Sequence, residues 1–119
     1  MQYKNKRVLG SQKEAEASEY LIKEGYEILE HNFRSQYGEI DIVAKENEYL
    51  VFVEVKYRSN TKVGQPHEAV DLRKMKRIIQ TAKYYMYLHR YSEFTPCRFD
   101  VIVSLEEKME VIRNAFDAF

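Results

Sequence analysis

The sequence predicts a mixed α/β domain in which a central sheet of about five strands carries packed helices. Three observations lead there. A segment rich in Ala, Glu and Lys ends on a glycine; three short apolar segments follow, separated by turn residues; and a long amphipathic segment then precedes two more strand-like stretches. The predicted order is α-β-β-β-α-β-β. The 119 residues suffice for one domain, 1–119, with a single modest core.

Residues 8–25 read as the first helix, with Gly25 suited to its C-terminal stop. Gly10, Glu14, Ala17 and Leu21 are spaced to share one face of it. Residues 26–34 form a first strand, Tyr37-Gly38 a turn, residues 39–44 a second strand and Asn47-Glu48 a second turn. Residues 50–57 (Leu-Val-Phe-Val-Glu-Val-Lys-Tyr) form a third strand, apolar on both faces through Val53 as expected of a central strand. Residues 59–67 carry Ser, Asn, Thr, Gly and Pro and read as a loop.

From Asp71, a fair N-cap, to about Arg90 runs a second helix. Met75, Ile78, Ile79, Ala82 and Met86 are its expected core stripe, and Arg73, Arg77, Gln80 and Tyr84 a neighbouring polar one. Thr95-Pro96 breaks the chain, residues 97–104 form a fourth strand, and residues 109–113 a fifth.

Composition narrows the function classes. Hydrophobic residues at 45% and charged residues at 32% suit a soluble globular protein. No apolar run approaches the roughly 18 residues of a membrane helix, and the basic start leads into no apolar signal segment. Cys97 is alone, which leaves no internal disulfide and no structural zinc site, so reducing cytoplasm is the expected compartment. The formal net charge is zero, yet from Lys56 to Arg90 nine basic residues face only two acidic ones, Glu68 and Asp71. Such asymmetry suits a polyanion-facing surface; a solvated helix face explains it too.

Burial explains most of strand three but not Glu54 and Lys56. Alternate strand residues share a face, so both follow Leu50 and Phe52 on a buried side. Charges in such places are paired, ligate metal, or line a cleft. Asp41 sits between Ile40 and Ile42, which are expected to fill the opposite face of strand two. Antiparallel pairing with strand three can set Asp41 beside Glu54. Two adjacent carboxylates repel unless a proton or cation lies between them. Oxygen donors of this kind suit Mg²⁺ or Mn²⁺. Lys56 would then lie near a metal-bound water or a phosphate. The plain alternative is a cross-strand ion pair.

An Asp followed one strand later by Glu-x-Lys resembles the signature of the PD-(D/E)xK nuclease superfamily, with its restriction-endonuclease-like fold. More closely, the chain resembles the uncharacterised bacterial family 0102, the YraN-like predicted endonucleases. The resembling segments lie at residues 14–21, 25–29, 32–34, 38–44 (Gly-Glu-Ile-Asp-Ile-Val-Ala), 50–58 and 68–70. The resemblance implies an α-β-β-β-α-β core and metal-dependent hydrolysis of phosphodiesters in DNA, leaving a 5′-phosphate, in repair or recombination. Carried over by position, Asp41 and Glu54 are metal ligands, with the Val55 backbone carbonyl a third, and Lys56 is the catalytic lysine. Glu14 matches a helix-one glutamate that helps hold metal, although a helix-edge glutamate reaching solvent is an equal reading. Gln80 and Tyr84 match a Gln-x-x-x-Tyr spacing of some superfamily members. Lys13 replaces a common family glycine, and Glu39-Ile40 replaces the proline of the motif's name.

The nucleic-acid contacts expected from the basic segment are Arg58, Arg73, Lys76, Arg77, Gln80, Lys83 and Tyr84. His31, His67 and His89 lie on separate elements without metal-ligand spacing, and Tyr57 is expected to face away from the site and pack. Two competing functions stand beside the nuclease: a nucleic-acid-binding module of the same fold that cuts nothing, and an assembly subunit whose charged trio is a buried ion network. The expected partner is nucleic acid, DNA in particular and branched DNA by analogy, with no membrane. The small chain favours a homodimer or a larger partner.

Overall fold

Seven elements follow the predicted order in a computed structural model of the chain, which describes residues 2–58, 72–106 and 108–117. The predicted loop at 59–67, His67, the 68–70 segment and the Asp71 cap lie outside the described residues, as does the Arg58 side chain.

Helix α1 (Gln2–Lys23) starts earlier than the sequence suggested. It stops where predicted. Gly25 adopts φ 101°, its N–H donates to Ile22 O at 3.1 Å, and the Tyr26 N–H donates to Leu21 O at 2.9 Å. This is a Schellman closure, in which a left-handed residue lets the backbone satisfy the last helical carbonyls. Tyr26 and Leu21, the two ends of that closure, pack together in the core.

The strands are β1 (Glu27–Ser35), β2 (Gly38–Glu46), β3 (Tyr49–Arg58), β4 (Cys97–Leu105) and β5 (Lys108–Phe116). Helix α2 (Leu72–Leu88) lies between β3 and β4 in the chain. The sheet order is β1-β2-β3-β4-β5. Neighbours pair antiparallel except β3 and β4, which are parallel and therefore need the long connection that α2 occupies. β3 is thus internal, as its two-faced apolar sequence predicted.

Each sheet face carries one helix. Ile78, Ala82 and Tyr85 of α2 pack on Val43, Leu50, Phe52, Phe99 and Val101. Ala17 and Leu21 of α1 pack on Ile42, Ala44, Val51, Val53 and Ile102. The expected α2 stripe is modified: Tyr85 is buried, while Met75, Ile79 and Met86 are only partly so. Among the described residues no helix is long and apolar enough to cross a membrane.

One expectation fails at β2. Ile40 does not share a face with Ile42; it joins Val43 on the α2 side, whereas Ile42 joins the α1 side. The β1 register sets Phe33 beside Ile40 and His31 beside Ile42, which leaves Asn32 across from Asp41. Asn32 has φ 51°, a left-handed residue that breaks the regular pleat at this point. Strict alternation therefore ends beside Asp41.

A second charged group is buried on the α1 face, and the sequence reading did not single it out. Asp100 is 1% exposed. It accepts from Arg98 Nε at 2.9 Å and Nη2 at 2.8 Å, from the Tyr26 hydroxyl at 2.6 Å and from the Asn114 N–H at 2.9 Å. Arg98 also reaches Glu46 Oε1, which Arg113 Nε approaches at 3.0 Å. A buried carboxylate with four donors, two of them from one bidentate guanidinium, is satisfied, so it ties β2, β4 and β5 to the end of α1 rather than offering a reactive group.

Candidate metal and phosphate cleft

The C-terminal half of β3 and the first turns of α2 frame an open cleft of ≈ 620 Å³. It is lined by Gly38, Glu39, Asp41, Glu54, Arg73, Lys74, Arg77 and Ile78. The turn between β1 and β2 forms its other wall. At Gly38 a side-chain carbon would already touch Arg77 Cβ and Thr81 Oγ1 at 3.5 Å, so the turn lies tight against α2.

Asp41 and Glu54 meet here. The β2–β3 ladder runs to Ile42 opposite Val53, and one more step in that register would set Asp41 opposite Glu54. At that step the Asp41 side chain takes a backbone role: Oδ2 accepts the Val55 N–H at 2.7 Å. Glu54 is 7% exposed. Burial, and then the nearby Glu54 charge, push the Asp41 carboxyl up to about 7, against the pull of the Val55 N–H. An aspartate holding its proton near neutrality beside a second carboxylate is the kind of perturbed pair that clusters at functional sites.

Two ammonium groups answer Glu54. Lys74 Nζ lies 2.7 Å from Oε1 and Lys56 Nζ 3.9 Å from the same atom. Burial, and then Lys74, hold Lys56 below its ordinary value. For Lys74 burial acts downward too, but Glu54 and Lys56 outweigh it and raise the group. Lys74 was absent from the sequence-based site. Helical spacing puts Lys74 on one edge of α2 with Arg77, Ile78 and Thr81, but that spacing alone does not say which edge meets the sheet.

Glu14 does not complete a metal cluster. It accepts from Asn32 Nδ2 at 3.2 Å, one strand away from Asp41. Among the described residues no group of three or more His, Cys, Asp or Glu gathers. Tyr57 is half exposed beneath α1 rather than packed, with the Lys13 ammonium 5.9 Å from its ring centre. Burial, then Asp41, Glu14 and Glu16, push its hydroxyl up to about 12.

The basic stripe divides. Arg73 and Arg77 line the cleft. Tyr84 packs against Phe33 and Tyr37 beside it, with centroids at 6.2 and 6.4 Å. Lys76 and Gln80 instead line a separate groove against Phe116, and Lys83 a third near Tyr91. The expected contact set is therefore not one surface, because the helix turns these residues to different sides.

The oxygen donors fit a hard divalent cation. Asp41 and Glu54 supply two carboxylates of matched hardness, with the Val55 carbonyl next in the chain. Water and a phosphate oxygen are the ligands such a two-carboxylate site needs in addition.

Comparison with known proteins finds relatives along nearly the whole chain. The model of uncharacterised protein family UPF0102 matches residues 13–103. A UPF0102 protein of Lachnoclostridium phytofermentans is 57% identical over 97% of this chain and 98% of its own. One from Fusobacterium nucleatum is 41% identical over 92% of each chain. One from Persephonella marina is 44% identical over 92% of this chain and 94% of its own.

Proposed function

Given that the chain belongs to the uncharacterised protein family UPF0102, we propose that this member is a Mg²⁺- or Mn²⁺-dependent endonuclease of bacterial cytoplasm, hydrolysing phosphodiester bonds in DNA during repair or recombination. The observation that carries it is the carboxylate pair, half-buried Asp41 with its proton held near neutrality and buried Glu54, opening into a cleft edged by Lys74, Arg73 and Arg77.

Asp41 and Glu54 would hold the cation, with the Val55 carbonyl as a further donor. The bound cation would supply Lewis acidity toward the phosphate and a more acidic water. The rest belongs to the chain's own side chains. The Val55 N–H fixes the rotamer of Asp41. Lys56, one alternate strand residue beyond Glu54, would offer an ammonium to the phosphoryl oxygens on which negative charge grows. Burial and Lys74 weaken its hold on its proton, which suits it to donate one. Arg73 and Arg77 draw the polyanion into the cleft.

A second function is a nucleic-acid-binding module that cuts nothing. The 2.7 Å pair of Lys74 with Glu54 favours it, since that carboxylate already has a cation. Two measurements separate them. Calorimetric titration with Mn²⁺ is expected to show one site that Asp41→Ala abolishes; no heat from the intact protein would sink the metal site. On a panel of duplex, flap, junction and single-stranded DNA, Lys56→Ala is expected to lower cleavage by about 10²–10³-fold, the usual loss for one charge-stabilising donor. Equal cleavage by the variant and its parent removes Lys56 from catalysis.

A further inference from the structure

We infer that Lys74 is a built-in competitor of the divalent cation at Glu54, keeping the site neutral until the lysine is drawn off toward phosphate. The inference rests on the metal-site reading above. Of the two lysines at Glu54, Lys74 makes the closer contact, 2.7 Å against 3.9 Å, on the oxygen they share. The two differ in where they come from. Lys56 is rooted on the same strand as Glu54 and its side chain is 19% exposed. Lys74 reaches across from the other layer, on the first turn of α2, with its side chain 41% exposed. A long flexible stem over an immobile carboxylate can let go without disturbing the sheet.

The charge balance gives the contact a purpose. Asp41 and Glu54 repel each other when both are ionised, and Lys74 is the ammonium that closes on Glu54 from outside the sheet. A divalent cation must take that oxygen from it. On leaving Glu54, Lys74 remains in the cleft between Arg73 and Arg77, where the substrate phosphate would lie. A polyanion that attracts Lys74 thereby frees Glu54 for the cation, so loading of metal and of nucleic acid should help each other, as linkage requires.

The test is Mn²⁺ titration calorimetry of the full chain without nucleic acid. Lys74→Met is expected to tighten binding about two- to fivefold, the upper part of the span of an exposed ion pair. Lys74→Gln should do the same if Met disturbs the helix turn. Lys74→Arg, which keeps the charge, should stay near the parent. Arg73→Ala removes a charge from the same cleft without touching Glu54 and should change affinity less than about twofold. Unchanged or weaker binding in both neutral Lys74 variants overturns the inference, as does Arg73→Ala tightening binding as much as Lys74→Met. If neither the parent nor the Lys74 variants bind Mn²⁺, the metal-site reading itself falls. If the parent binds and only the expected tightening is missing, that reading stands and the competitor role alone is lost.

Discussion

A carboxyl group that burial and a like charge hold protonated makes its protein sensitive to pH. In the metal-free protein Asp41 titrates near 7, against about 3.9 in an unfolded chain. The folded state therefore binds the extra proton between those values, and stability should fall as pH rises from about 4 to about 7. Asp41→Asn keeps an oxygen for the Val55 N–H and removes the titration. Thermal melts in chelator should show the variant more stable than its parent at pH 8, with the gap narrowing toward pH 4. Parallel pH profiles for the two proteins would refute the assignment. Asp41, Glu54 and Lys56 were all legible as residues that an apolar pattern does not explain. Lys74 was not, because nothing in a helical sequence says which of its basic residues will face a strand far away in the chain.

Helix α1 shows how a single element ends. Its closure needs a residue in left-handed geometry, and Gly25 supplies it at φ 101°. A methyl group there would meet no atom within 4 Å, so the cost of Gly25→Ala is conformational alone. It should be about 1–2 kcal/mol, the penalty of left-handed geometry for an L-residue. Denaturant melts should show a lower midpoint with an unchanged slope. An unaltered midpoint would mean that the Tyr26–Leu21 closure contributes nothing. This helix end was readable from Gly25 itself. The helix start was not, since residues 2–7 are polar and carry little hydrophobic period. At β2 the period misled, because a left-handed Asn32 on the partner strand moved Ile40 to the other face.

Among the described residues two sets of charged groups have opposite uses. The Asp100–Arg98–Glu46–Arg113 network is closed, each group meeting partners from other elements. Hydrogen bonds from Arg113, and then from Arg98, outweigh burial and hold Glu46 down at about 2. A depressed carboxylate stabilises the fold at any pH above about 4.3, and that contribution is lost as pH falls toward 2. Glu46→Gln should cost about 2–3 kcal/mol at pH 7, since it leaves two guanidiniums short of a charge. Equilibrium unfolding should show that cost shrinking below pH 4; a cost independent of pH would mean that the Glu46 charge is not what matters. The Asp41–Glu54 pair is the open set: its carboxylates lie at a cleft, and the nearer of its two cations, Lys74, reaches in from the helix across the sheet.

The sequence by itself determined the order of the elements, the internal place of β3, the two carboxylates of the cleft, Asp41 and Glu54, and the lysine beside Glu54, Lys56. Those properties follow from local period, turn chemistry and charges set in apolar runs. The tertiary structure alone decided the rest. It brought Lys74 onto Glu54 and left Glu14 with Asn32. It also divided the basic stripe among three surfaces and closed the Asp100 network. Each of these depends on how helix and strand rotate and register against one another across the sheet, and no local pattern encodes that rotation.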